Sequence, residues 1–225
     1  QRGRLRASLR GRTSRLSVRD HRMDAPQLLP RKRWRFVDAT TVALDGGFEP
    51  GRIYEVVYRA RDPRVVGCSL AATRDLVSFL KNEAGEANPL AGTRQAIGHG
   101  ISQSGRFLRH FLHQGFNEDE EGRRVFDGVF VEVAGAGRGS FNHRFAQASR
   151  DGHQHWNVHY PTDLFPFTDL PESDPETGAT EGLLDRATAT GTVPKVFHVV
   201  TSYEYWNRAA SLLHTDAAGR RDVPL

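Results

Sequence analysis

Residues 93 to 115, TRQAIGHGISQSGRFLRHFLHQG, constrain the chain more than any other stretch. A short apolar run ends in glycines, and two serines follow in a tight turn. Phe107, Leu108, Phe111 and Leu112 then recur at helical spacing, with Gly115 placed as a stop. A strand that enters a helix through a glycine-framed serine holds that serine in a strained backbone conformation. The residues two before and two after it come into contact, so both must be small. Ser102 meets the condition, with Gly100 before it and Ser104 after it, whereas Ser104 would have Arg106 two residues on. Ser102 is the candidate nucleophile. The backbone N–H of Gln103, at the start of the helix, would face the oxyanion of a tetrahedral intermediate. The competing reading is an ordinary strand-to-helix turn in which Ser102 or Ser104 only caps the helix.

The remaining elements alternate. RWRFVDATTVAL reads as a strand ending in the Gly/Pro turn DGGFEPGR, and IYEVVYRA reads as a strand covered on both faces. SLAATRDLVSFLK places Leu70, Ala72, Leu76, Phe79 and Leu80 on a helix. RVFDGVFVEVAGAG and VPKVFHVVTS are further strands, and EYWNRAASLLH is a short helix. This order predicts an α/β fold with a mostly parallel sheet and helices on both faces. Residues 1–22 form a basic arm, expected to be flexible, and residues 23–225 a single domain, a size at which one core suffices. The polar stretch of about 138–192, rich in His, Pro, Asp and Thr, is long enough to be a lid or binding insertion.

The segment GHGISQSGRFLRHFLHQGFNEDEEGRRVFDGVFVEVAGAGRGSFNHRFAQ resembles the large bacterial family of α/β-hydrolase domain proteins. It is more distantly similar to the tannase and feruloyl-esterase group, in which a G-x-S-x-G-G-R turn likewise precedes an F-D-G strand. The likeness extends to RIYEVVYRARDPRVVGCSLAATRDLVSFLK, YPTDLFPFTD and EYWNRAASLLHTD, over roughly residues 16 to 225. It implies an α/β-hydrolase fold and a serine hydrolase acting on a small-molecule carboxylic ester, with no cofactor and no metal.

Serine needs a base, and the base needs an acid to orient it. In this fold the order is serine, acid, histidine, with the acid just beyond the second strand after the serine turn. That position is Glu204 in TSYEYW; Asp163, Asp169 and Asp174 are alternatives, and Glu204 itself also fits a carboxylate at a helix start. The resemblance places the histidine after one more strand, which these 225 residues lack. His214 alone follows Glu204, on or after a helix, and His198 sits inside a strand. The expectation is a fragment without its final strand and catalytic histidine, truncated at the N-terminus too since it begins without Met, and inactive by itself. His99 and Trp156 are candidate substrate contacts.

Other chemistries are weaker. Residues 1–35 hold eleven Arg and Lys32 against Asp20 and Asp24, a net of +10, so the rest carries −6 of the overall +4. No aromatics interleave the arginines of the 1–22 arm, so nucleic acid is not the expected partner. The trio His153, His155 and His159 lacks a clear companion carboxylate for zinc. AGAGRGS lacks the spacing of a phosphate loop, and its glycines are read as letting backbone pass close to the serine turn. Cys68, the only cysteine, is read as a small helix-packing residue; it excludes an internal disulfide and assigns no compartment. No apolar run is long enough to span a membrane, and residues 1–20 lack the apolar stretch expected of a signal peptide. Oligomeric state is not legible. A hydrolase-fold protein that binds without catalysing is the alternative function.

Overall fold

The computed structural model describes residues 6–7, 14–21, 23–38, 41–61, 67–139, 141 and 163–215. The chain divides into two compact units, one of Gln1–Val66 with Asn142–Tyr160, the other of Gly67–Phe141 with Pro161–Leu225.

The first unit is antiparallel. Strands β1 (Arg6–Ala7), β2 (Arg15–Arg19), β3 (Gln27–Leu28), β4 (Trp34–Phe36), β5 (Val42–Leu44), β6 (Ile53–Val57) and β7 (Ala60–Arg61) occur in that order. β2 pairs with both β3 and β6, β4 with β5, and β1 with β7. Three expectations change here. The segment 1–22 holds a strand, because Leu16 and Val18 alternate with Arg and Ser and are buried. IYEVVYRA supplies β6, which pairs antiparallel with β2 and does not join the parallel sheet; its apolar run came from β-branched and aromatic residues that suit either sheet. RWRFVDATTVAL is a hairpin and not one strand, with Trp34 opposite Leu44.

The second unit carries the parallel sheet. Its elements are α1 (Ser69–Asn82), β8 (Ile97–Ile101), α2 (Gln103–His113), β9 (Gly128–Glu132), β10 (Glu172–Ser173), β11 (Thr180–Glu181), α3 (Asp185–Thr190), β12 (Lys195–Val199) and α4 (Ser202–Asn207). β9 lies between β8 and β12, parallel to both, with Ile97 and Lys195 in register with Gly128 and with Ile101 and Val199 in register with Glu132. α2 covers one face: Phe111 and Leu112 are fully buried in a cluster with Leu70, Leu108, Val125, Phe126, Val129, Val131 and Leu183. Side chains of this size each stabilise the fold by roughly 1.5–3 kcal/mol when fully buried. Buried Asn117 braces the loop beyond α2, donating to the carbonyls of Phe126 (3.0 Å) and Thr192 (2.6 Å) and accepting from the Phe126 N–H (2.8 Å).

The opposite face has no covering helix among the described residues of this unit, so of the helices expected on both faces the described residues supply those on one. Ile97 and Phe197 there are 72% and 60% exposed. The insertion expected at 138–192 is in part core: its described residues 163–192 form the β10–β11 hairpin and α3, with Leu183 and Ala187 buried. Cys68 is exposed at the start of α1 and does not pack. No helix among the described residues is long and apolar enough to cross a membrane.

Candidate active site

The carboxyl ends of β8, β9 and β12 stand in one row, where open α/β sheets bind ligands. Ser102 follows β8 directly and is the apex of the turn, with φ 55° and ψ −116°; Ser104 is already inside α2. Its N–H is held by the Glu132 carbonyl of the neighbouring strand at 2.8 Å. A Cβ on Gly100 would stand 2.5 Å from the Ser104 carbonyl oxygen, and one on Gly105 would stand 2.9 Å from the Gly100 oxygen and from Ala134 Cβ. Those two glycines let the helix close onto the strand. The Ser102 side chain makes no capping bond, so its exposed Oγ projects without a partner among the described residues. Gln103 is the first residue of α2, where backbone N–H groups have no helical acceptor. Val133 sits beside this turn with φ 46°, an outlier for a β-branched residue, its N–H bonded to the Val199 carbonyl (2.7 Å). Strained backbone thus collects at the row's end, as it does where geometry serves a site.

Glu204 lies in the first turn of α4, just beyond β12. Its Oε2 accepts from the Thr201 N–H (2.9 Å) and from the Thr201 hydroxyl, while its own N–H points at Thr201 Oγ1 in a closed capping box. The Thr201 hydroxyl holds this carboxyl below its usual range; slight burial opposes it, and the Thr201 N–H and the Arg106 charge assist. Oε1 accepts no hydrogen bond from a described residue.

The alternative carboxylates are otherwise engaged. Asp163 accepts from Arg106 and Arg208. Asp174 closes an exposed turn with Thr177. Asp169 meets His198 Nε2 at 2.9 Å and Arg109 at 3.5 Å. Burial alone would raise the Asp169 carboxyl, but the His198 bond and the Arg109 charge keep it lowered. Of the described histidines, His99 pairs with Glu132 (3.0 Å) on the uncovered sheet face, His113 with Glu181 (2.7 Å), and His214 with the Tyr205 hydroxyl (3.1 Å). None bonds to Ser102. Trp156, His153, His155 and His159 lie outside the described residues. A groove of about 920 Å³ runs along Ile97, Phe130, Pro194 and Phe197 at the amino ends of the strands, the end opposite Ser102. Among the described residues no cluster of His, Cys, Asp or Glu is suited to a metal.

The family model for the alpha/beta hydrolase domain matches residues 17–222. The chain belongs to the α/β-hydrolase domain family. Curated proteins and solved structures give no match. In this α/β hydrolase, sequence reasoning found the serine turn through its small residues but missed the arginines around Asp163. Their signal, one Arg four residues after each of Ser102 and Glu204, is visible only once both helices are placed.

Proposed function

We propose that this α/β hydrolase cleaves carboxylic esters through an acyl-enzyme on Ser102. The observation that carries the reading is the Ser102 apex: a strained, exposed serine, its Oγ without a partner among the described residues, at the amino end of a helix that covers the parallel sheet. Its Oγ attacks the ester carbonyl, the Gln103 N–H stabilises the oxyanion, and the alcohol leaves as the bond breaks. Water then hydrolyses the acyl-serine. Glu204 is the proposed acid, orienting the histidine and stabilising its cation. His214, the only histidine after Glu204 in this sequence, is stacked on Tyr205 and bonded to its hydroxyl, so the base is not assigned to it or to any other described histidine. His99 and Trp156 remain the proposed substrate contacts.

In the intact protein, Ser102→Ala is expected to remove hydrolysis of short activated esters, a loss on the order of 10⁶ in kcat for a triad nucleophile. Ser104→Ala should keep most of the activity. A fluorophosphonate probe should label the wild type and Ser104→Ala but not Ser102→Ala. Equal turnover in the two variants overturns the assignment, and an intact protein without any turnover favours a hydrolase fold used for binding.

A further inference from the structure

Asp163 is held by two arginines, one four residues after Ser102 and the other four residues after Glu204. Arg106 stands one turn after Ser102 on α2; its Nη2 donates to Asp163 Oδ1 at 3.0 Å and its Nε to the Ala134 carbonyl at 3.2 Å. Arg208 stands four residues after Glu204, at the end of α4. It grips the same carboxylate with two prongs, Nε to Oδ2 and Nη2 to Oδ1, both at 3.0 Å. Its backbone N–H bonds the Glu204 carbonyl, and its carbonyl accepts from the Ala136 N–H, each at 3.0 Å. The stretch AGAG, residues 134–137, is shaped for this contact. A Cβ on Gly135 would lie 2.8 Å from Arg208 Cβ, and one on Gly137 would run into Asp163. All three charged side chains are largely withdrawn from solvent, so salt screens them less than it screens a surface pair.

We propose that Asp163 is a positioning residue: by tying Arg106 to Arg208 it fixes the separation between Ser102 and Glu204. The proposal rests on the roles given above to those two residues. α4 has six residues, too few to persist alone, so its placement is set at its ends, by the capping box at the start and by this clasp at the finish. A shift of about 1 Å between reacting groups lowers rates by about 100-fold, so the clasp is read in turnover more than in substrate affinity.

The test is Asp163→Asn in the intact protein, which keeps the side chain's size and removes its charge. The expected result is a fall in kcat of about tenfold or more with KM nearly unchanged, together with faster amide exchange at Ala136 and Arg208. Arg208→Lys, which keeps the charge and loses the fork, should show a smaller change of the same kind and supplies the answer if Asp163→Asn does not fold. Asp119→Asn, which breaks a network with Ser78 and Arg123 elsewhere in the unit, is the control for general loosening and should leave kcat in place. An unchanged kcat in Asp163→Asn, or a loss matched by the control, overturns the proposal. If the wild type shows no Ser102-dependent hydrolysis, the ester reading fails by itself. The clasp is then decided by exchange: unchanged protection at Ala136 and Arg208 overturns it, and increased exchange supports it.

Discussion

Glutamine closes a capping box as glutamate does, because either side chain accepts the N-cap N–H. Glu204→Gln therefore leaves the start of α4 intact and removes the charge proposed to orient the histidine. The expected outcome is an unchanged melting temperature with kcat lowered on the order of 10³–10⁴-fold, the scale seen when a triad carboxylate becomes an amide. Retained turnover would leave Glu204 a helix cap and nothing more. Thr201→Ala, by contrast, should cost about 1 kcal/mol in denaturant unfolding. A second residue gives a pH signature. Burial would raise the Asp119 carboxyl, yet the Ser78 hydroxyl, the Arg123 guanidinium and backbone N–H groups overcome it and hold the group below its ordinary 3.8. A lowered folded pKa contributes stability that is present above the unfolded value and lost as pH falls through the folded one. The stability gap between wild type and Asp119→Asn should be full near pH 7 and shrink below about pH 4, as followed by urea unfolding at both.

α2 was the most legible element, since its stripe of Phe107, Leu108, Phe111 and Leu112 has one period and one stop, and Gly115 takes φ +82° there. Phe111→Ala, which empties a fully buried position against Phe126, should lower stability by about 3–5 kcal/mol in denaturant unfolding. Other elements were less legible for physical reasons. The α1 stripe includes Leu76, yet Leu76 is 58% exposed, because the face that packs runs through Leu70, Val77 and Ser78 and Leu76 lies about 120° round the helix from Leu70. β6 read as a parallel strand because a run of apolar residues carries no record of strand direction. β2 was hidden by charge: Arg15 and Arg19 bracket the buried Leu16, Ser17 and Val18, and Arg19 reaches Glu55 at 3.3 Å. The serine turn was legible because its constraint is steric and local. The clasp was not, since Asp163 lies 57 residues from Arg106 and 45 from Arg208.

Across the whole chain, the net charge of +4 conceals a basic first 35 residues and an acidic remainder, so a bulk isoelectric point says little about the surface beside Ser102. The sheet order has a consequence for how the site comes into being. Gly128 of β9 pairs with Ile97, 31 residues earlier, and with Lys195, 67 residues later. Closing the longer loop costs more chain entropy, by about (3/2)RT times the logarithm of the ratio, and its pairing is the less local of the two. β8, α2 and β9 are thus expected to assemble first, with amides of β9 protected before those of β12 in pulse-labelling exchange. Glu204 and Arg208 trail β12 and arrive last. A chain emerging from the ribosome therefore carries the Ser102 turn, the proposed nucleophile, already shaped while Glu204 and Arg208 still await the docking of β12. The steric part of the proposed site precedes its charged part.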